Sequence, residues 1–401
     1  MTSAVSTTKT DGMFRSLRHR NARVFFIGLL VSNVGTWLQF TATSYLIYDL
    51  TGAATDLGLN AMFQFLPMLV LGVWAGGFAD QRNRRVVTMW TQSVMGLLAI
   101  SLGIAVLADA VSLWLVYLTS LALGVASAID NPSRRGLVIE LVAPDEISNA
   151  MALNTTVMTG SRIIGPAVAA ALIGPLGAGW LFVVNGLSFL AIIFAVYAID
   201  TSALFPVRSA PMGGTPVRDA MRFVYRDNVL RYTFLVFFIV STFAFNYGVV
   251  LPKMADEQWG HANAFGLLLT VISIGSVAGS LATARLREVT TGWFTGVIVA
   301  TGTSAIALAW SPNIWIAYLV CLPLGAASTA MVAAMNSISQ QRTPDEMRSR
   351  MLALVAVAFL GSTPIGGPIT GWVGDNVSFG WSLAYGGVIT LLCVPMMRWA
   401  K

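Results

Sequence analysis

Gly76-Gly-Phe-Ala-Asp-Gln-Arg-Asn-Arg-Arg-Val-Val87 sets Asp80, Arg82, Arg84 and Arg85 between two long apolar runs, 57–79 and 86–107. Each run is about the 20 residues that a helix needs to cross a hydrocarbon core about 30 Å thick. A charged link between two such runs is the smallest unit of a multi-span membrane protein. The same alternation covers the whole chain, with spans expected at 23–49, 57–79, 86–107, 112–138, 146–175, 178–199, 230–255, 263–285, 291–310, 313–340, 347–374 and 378–398.

Composition agrees with this. The 401 residues are 56% apolar and only 10% charged, against roughly 25% charged for a soluble domain. A transmembrane β-barrel would need alternating strands of about ten residues, whereas these runs are continuous and rich in Leu, Ala, Gly and Val. The first 22 residues are polar and basic and precede any apolar run, so no cleavable signal peptide is expected. Cys321 and Cys393 fall inside spans and read as buried apolar thiols, neither a disulfide framework nor a metal site.

Placement of the basic residues sets the orientation. With the N-terminus in the cytoplasm, all of the 24 Lys and Arg except Arg162 and Lys253 fall on the cytoplasmic side, as the positive-inside bias requires. The net charge of +6 therefore reads as topology, with no nucleic-acid partner. Both termini are expected inside.

Internal repeats divide the chain. Ala143-Pro-Asp-Glu-Ile147 returns as Thr343-Pro-Asp-Glu-Met347, Leu123-Gly-Val-Ala-Ser127 as Leu324-Gly-Ala-Ala-Ser328, and Gly76-Gly-Phe-Ala-Asp80 faintly as Gly279-Ser-Leu-Ala-Thr283. Six spans per repeat give two halves of the same orientation, the parallel-repeat plan of secondary transporters. The fold class expected is all-α, twelve transmembrane helices in two six-helix bundles: a tail at 1–22, a first bundle at 23–199, a linker at 200–229 and a second bundle at 230–401. Within the linker, Val217, Met221 and Val224 recur at helical spacing opposite Arg218, Arg222 and Arg226. That pattern predicts an amphipathic helix lying on the inner membrane surface or a solvated one.

Together these residues resemble the major facilitator superfamily, and more narrowly its bacterial exporter branch of macrolide and catechol-siderophore efflux proteins. The stretch Gly76 to Arg85 is similar to the superfamily signature between the second and third helices, with Gln81 and Asn83 as departures. Asn tolerates left-handed backbone, so the turn is expected to survive at Asn83. Branch-level similarity comes from Leu17-Arg-His-Arg-Asn21, Asp130-Asn-Pro-Ser-Arg134, Asn149-Ala-Met-Ala-Leu-Asn154 and Arg162-Ile-Ile-Gly-Pro166. Gly165 and Pro166 resemble the antiporter signature of the fifth helix, a hinge, although Ala169 and Ala170 replace its usual glycines. The resemblance implies an inner gate in which Asp80 meets the start of the eleventh helix, with Thr343 as its cap before Pro344, Asp345 and Glu346. Arg84 and Arg85 are expected to pair across the bundle interface or with lipid headgroups, and Arg82 to fix topology.

No Gly-x-x-x-x-Gly-Lys-Ser/Thr loop is visible, so ion coupling is the expected energy source, with no cofactor and no enzymatic reaction. Asp130 is the acid expected inside a span, and Arg162 lies mid-span in the fifth. An ionisable residue within a bilayer is a functional-site hypothesis. Asp130 and Arg162 are proton-coupling candidates, or else Asp130 is fixed structurally, by Arg162 or by backbone at the Pro132 break. Arg162 has a further possible role in attracting an anionic substrate. His19 and His261 read as solvated residues at the membrane edges.

By the resemblance, helices one, four, seven and ten line a central cavity. The substrate candidates on them are Asn33, Trp37, Thr41 and Ser44; Thr242, Phe245 and Asn246; and Met331, Met335 and Asn336. Aromatic, thioether and amide groups suit varied amphiphiles. The expected function is proton-coupled export of small amphiphilic molecules, drug- or siderophore-like, from a monomer in the bacterial inner membrane. The rivals are an importer or facilitator of a metabolite, and a receptor or lipid-handling protein.

Overall fold

The computed structural model describes residues 14–205, 216–261, 264–344 and 347–400, with the side chains at 73, 76, 79, 80, 216–218 and 349 outside the description. Its helices are α1 (Arg20–Thr51), α2 (Ala54–Gln81), α3 (Arg84–Leu107), α4 (Leu113–Glu140), α5 (Ile147–Tyr197), α6 (Pro216–Arg226) and α7 (Asn228–Ala244). There follow α8 (Tyr247–Glu257), α9 (Phe265–Ala284), α10 (Thr291–Ala309), α11 (Ile314–Gln341), α12 (Arg348–Leu360), α13 (Thr363–Asn376) and α14 (Phe379–Leu392). Among the described residues, 11 helical stretches are long and apolar enough to cross a membrane. One of them holds two spans, because Gly177 at φ 76°, ψ 166° turns the chain between the fifth and sixth. Only glycine adopts that backbone readily. The protein is therefore an all-α, twelve-span membrane protein.

Side-chain caps start the spans where the apolar runs begin. Ser112, Asp227, Thr290, Asn313 and Ser378 each accept an amide N–H from the first turn of α4, α7, α10, α11 and α14, satisfying donors that a helix start leaves open. Asn83 does the same for α3, accepting from the Arg85 and Val86 amides in extended backbone, φ −65°, ψ 108°. The turn at Asn83 thus rests on capping, and the left-handed conformation expected of it is not used.

Two spans are broken. The seventh is α7 plus α8, interrupted at Phe245-Asn246, and the eleventh is α12 plus α13, interrupted at Gly361-Ser362. The breaks pack near each other: Phe245 and Phe359 meet edge to face at 5.8 Å. Asn246 Nδ2 donates to Thr370 Oγ1 at 3.0 Å. Gly366 lies so close to the Thr242 carbonyl that no Cβ fits there.

Each half holds a core near each end. In the first half, Phe25, Leu29, Leu137 and Ile192 fill the end that bears the termini, and Leu38, Ile47, Leu181 and Phe182 fill the far end. Phe237, Phe294, Met331 and Met335 do so near the termini in the second half, and Leu251, Met254, Leu268 and Leu308 at its far end. Val249 of α8 belongs to the first half's far-end core, so the halves merge at that end. In the linker, α6 turns Ala220, Phe223 and Val224 toward the second half's core and leaves Met221 and Tyr225 exposed. The buried face thus differs from the expected one, because α6 rests on protein; Val217 and Arg218 lie outside the described residues.

Candidate functional site

The described hydrogen bonds between the halves all lie at the far end. Asp375, closing α13, accepts from the Ala54 amide (2.9 Å) and from the Thr55 amide (2.7 Å) and hydroxyl (2.6 Å), at the start of α2. Lys253 of α8 donates to the same carboxylate at 2.7 Å. Beside it, the Tyr48 hydroxyl donates to Asp256 at 3.0 Å. Backbone contact seals the same region. An added Cβ at Gly266 would sit 2.7 Å from the Pro166 carbonyl, and one at Gly248 would sit 2.9 Å from the Phe40 ring. The last close approach of this kind is at mid-depth, Gly361 against Leu69.

Sequence reasoning set Lys253 apart from the cytoplasmic basic residues without finding its partner. The available signal was the lone basic residue on that side, which needed a carboxylate. Gly165 abuts the Val34 carbonyl of α1 within the first half, and Pro166 meets Gly266 of α9 at the junction of the halves.

At the end bearing the termini, ties run within the first half. Arg84 donates to Glu140 at 2.8 Å, and Arg85 to the Val196 (2.9 Å) and Tyr197 (2.5 Å) carbonyls at the end of the sixth span. A helix C-terminus favours such a cation. These described bonds of Arg84 and Arg85 stay within the first half, where the expectation was pairing across the bundle interface or with lipid headgroups. Arg82 lies 5.3 Å over the Phe78 ring. The Thr343 hydroxyl donates back to Ser339 at the end of α11. The surroundings of Gly76 and the side chain of Asp80, together with residues 345–346, lie outside the description, and with them the expected inner gate.

The Leu17 to Asn21 motif fastens the N-terminal segment to the same half. Arg15 pairs with Asp145 and, at 2.7 Å, with Glu146. His19 meets Glu146 at 2.7 Å, so it is a hydrogen-bond partner of that carboxylate and not merely solvated. Asn21 donates to the Asp200 carbonyl at 2.8 Å. The Ser202 hydroxyl and amide donate to the Asp200 side chain and hold its carboxyl below the usual range.

Within the spans, Asp130 is 3% exposed. Thr91 Oγ1 donates to its Oδ1 at 2.8 Å and Arg134 Nε to its Oδ2 at 3.0 Å. Arg134 also donates to Asn131 Oδ1 (3.2 Å) and Met158 Sδ (3.7 Å). The considered Asp130–Arg162 pair is not formed. Arg134 stands one helical turn from Asp130 on the same face, an i,i+4 relation that was legible and that favours pairing.

Arg162 stacks over the Trp37 indole at 4.7 Å. It lies midway along the fifth span, and its side chain is exposed. Trp37 meets Phe40 edge to face at 5.4 Å.

Most other cavity candidates are engaged in packing. Asn33, Thr41, Ser44 and Thr242 donate to their own helices one turn back. Asn246 joins the seventh span to the eleventh. Met331 and Met335 are fully buried in the core. Asn336, half-buried, donates to Val332, while Trp37 and Phe245 remain partly exposed.

Comparison with known proteins matches residues 11–400 to the family described as transmembrane secretion effector. The enterobactin exporter EntS of Salmonella typhi is 24% identical over 392 residues, 95% of this chain and 94% of that protein. The multidrug efflux pump Tap of Mycolicibacterium fortuitum is 23% identical over 368 residues, 87% and 89% respectively. Among solved structures, an inward-facing, unoccupied bacterial homologue of the human lysosomal transporter Spinster superposes with TM-score 0.70 at 15% identity, covering 96% of this chain and 95% of that one.

Proposed function

Because the chain belongs to the transmembrane secretion effector family of major facilitator transporters, we propose that it exports small amphiphilic molecules by alternating access, in exchange for protons. The EntS and Tap relatives support the direction. The basic residues at the end bearing the termini support a cytoplasmic location for that end, and a bacterial inner membrane fits those relatives. The latched far end is then the exterior. A transporter closed outside is ready to load from the cytoplasm, as an exporter requires.

The observation that carries the coupling is the buried Asp130 between Thr91 and Arg134. A carboxylate paired with a guanidinium favours its charged form, and separation in a buried site favours its protonated form. A rearrangement that parts Asp130 from Arg134 therefore takes up a proton, and re-pairing releases it. Alternating the two steps with the outer and inner openings links one proton flow to one substrate flow.

The test is transport in proteoliposomes under an imposed pH gradient, against a panel of dyes, antibiotics and siderophores. Asp130→Asn holds the neutral form, so gradient-driven uphill export is expected to vanish while substrate binding and gradient-independent exchange persist. The pair Asp130→Asn with Arg134→Gln relieves the unpaired guanidinium; it is expected to restore folding without restoring coupling. Uphill export by either variant at the wild-type proton-to-substrate ratio removes Asp130 as the carrier. Transport by the wild type without gradient dependence makes the protein a facilitator.

A further inference from the structure

Arg162 lies midway along the fifth span, and among the described residues no carboxylate pairs with it. Arg134 is compensated by Asp130 at 3.0 Å, while no described acid pairs with Arg162, whose contact is the face of Trp37. A charged side chain at mid-membrane depth is costly and is ordinarily neutralised. Asp130 compensates Arg134 and leaves Arg162 uncompensated. The two arginines are also neighbours: Arg134 reaches Met158, one helical turn before Arg162 on α5.

From these facts we infer that Arg162 and Trp37 form a binding site for the anionic group of an organic substrate, narrowing the amphiphiles of the proposed export to organic anions. With the indole face as its contact, the guanidinium has no described hydrogen-bond acceptor, so its N–H donors can take a planar carboxylate or sulfonate. The surroundings add to the field. Phe40, ring to ring with Trp37, touches Gly248 in the first turn of α8. That helix starts in mid-membrane at Tyr247 after the break, so its positive end lies within the same aromatic cluster. Phe245, against Tyr247 at 6.2 Å, offers an apolar wall for the body of the ligand. The site reads a negative head on an aromatic or aliphatic frame.

The inference rests on the transport reading for its consequence but is tested by binding alone. Full-length protein in phosphatidylcholine nanodiscs is titrated with 5-carboxyfluorescein and with rhodamine 123, which share a xanthene frame and differ in charge, and fluorescence anisotropy gives each affinity. Wild type is expected to prefer carboxyfluorescein by about tenfold or more, the scale of charge-assisted hydrogen bonds. Arg162→Gln is expected to erase the preference with rhodamine 123 binding unreduced. Arg162→Lys, which keeps charge but not the planar fork, is expected to keep the preference at weakened affinity and serves if the Gln variant does not fold. Equal binding of both dyes by wild type, a preference that survives in Arg162→Gln, or wild-type affinity in Arg162→Lys overturns the site. Failure of gradient-driven flux with the preference intact sinks the export reading instead.

Discussion

Asp375→Asn is expected to loosen the far end of the molecule by an amount that follows from which bonds cross between the halves. The bond from Lys253 to Asp375 lies within the second half and survives opening. The bonds from Ala54 and Thr55 do not, because α2 belongs to the first half. An amide keeps one acceptor oxygen, but its NH2 then faces either the Ala54 donor or those of Thr55 and cannot accept. Hydrogen bonds to a charged group contribute about 1.5–3 kcal/mol each, and a carboxylate at a helix N-terminus about 0.3–1 kcal/mol more. The Asp375 side chain remains 19% exposed, so water replaces part of this, and a net loss of about 2 kcal/mol is reasonable. At 1.4 kcal/mol per tenfold, that shifts the equilibrium by about thirtyfold toward the state open at the far end. Spin labels at Thr51→Cys and Val377→Cys, in a background lacking Cys321 and Cys393, report the separation by double electron–electron resonance. Longer distances are expected in Asp375→Asn, along with slower return to the closed state. An unchanged distance distribution with wild-type turnover refutes the latch.

Two smaller perturbations test the elements that hold the site. Asn83→Ala removes the cap of α3 and is expected to lower stability by about 1 kcal/mol, read as a lower melting temperature with substrate preference retained; an unchanged melt assigns the turn to other contacts. Gly366→Ala forces a methyl against the Thr242 carbonyl and is expected to disturb the packing of the seventh span on the eleventh, slowing transport more than it lowers expression. Wild-type transport there means that the two spans separate without cost.

The spans were legible because apolar length and polar punctuation are local properties, and the charged stretch between the spans read at 57–79 and 86–107 does contain the link between α2 and α3, which the structure narrows to Arg82-Asn83. The backbone breaks were not. Phe245-Asn246 and Gly361-Ser362 barely alter hydropathy, and a break at mid-depth depends on the neighbour that receives its polar groups: Thr370 for Asn246, the Phe359 carbonyl for the Ser362 hydroxyl. Partner choice failed in a similar way. Arg134 read as an interfacial cation because it lies near the end of a span, whereas it is buried and bonded to Asp130. Met335 carries the chemistry of an adaptable cavity wall, but whether a thioether faces a space or a core is a tertiary property, and here it is core.

The repeats imply two equivalent halves, yet the structure distributes its resources unequally. Asp130, Arg134 and Arg162 all lie in the first half, on α4 and α5, and α1 runs unbroken from Arg20 to Thr51 beside them. The interrupted spans lie in the second half. The two residues of that half that bond to the first, Asp256 on α8 and Asp375 on α13, both stand beyond an interruption. Continuous helices keep the backbones that carry Asp130, Arg134 and Arg162 in register and leave side-chain rotation to make or break the Asp130–Arg134 pair, whose Coulomb energy changes steeply with distance in a medium of low dielectric. An interrupted helix instead takes up rotation at a few backbone angles, so α8 and α13 can leave the first half while α7 and α12 keep their packing near the termini. Loosening the latch by Asp375→Asn should therefore move labels on α8 and α13 together and leave the distance from Thr91 to Asp130 unchanged; motion of the whole second half as a single rigid body contradicts this division.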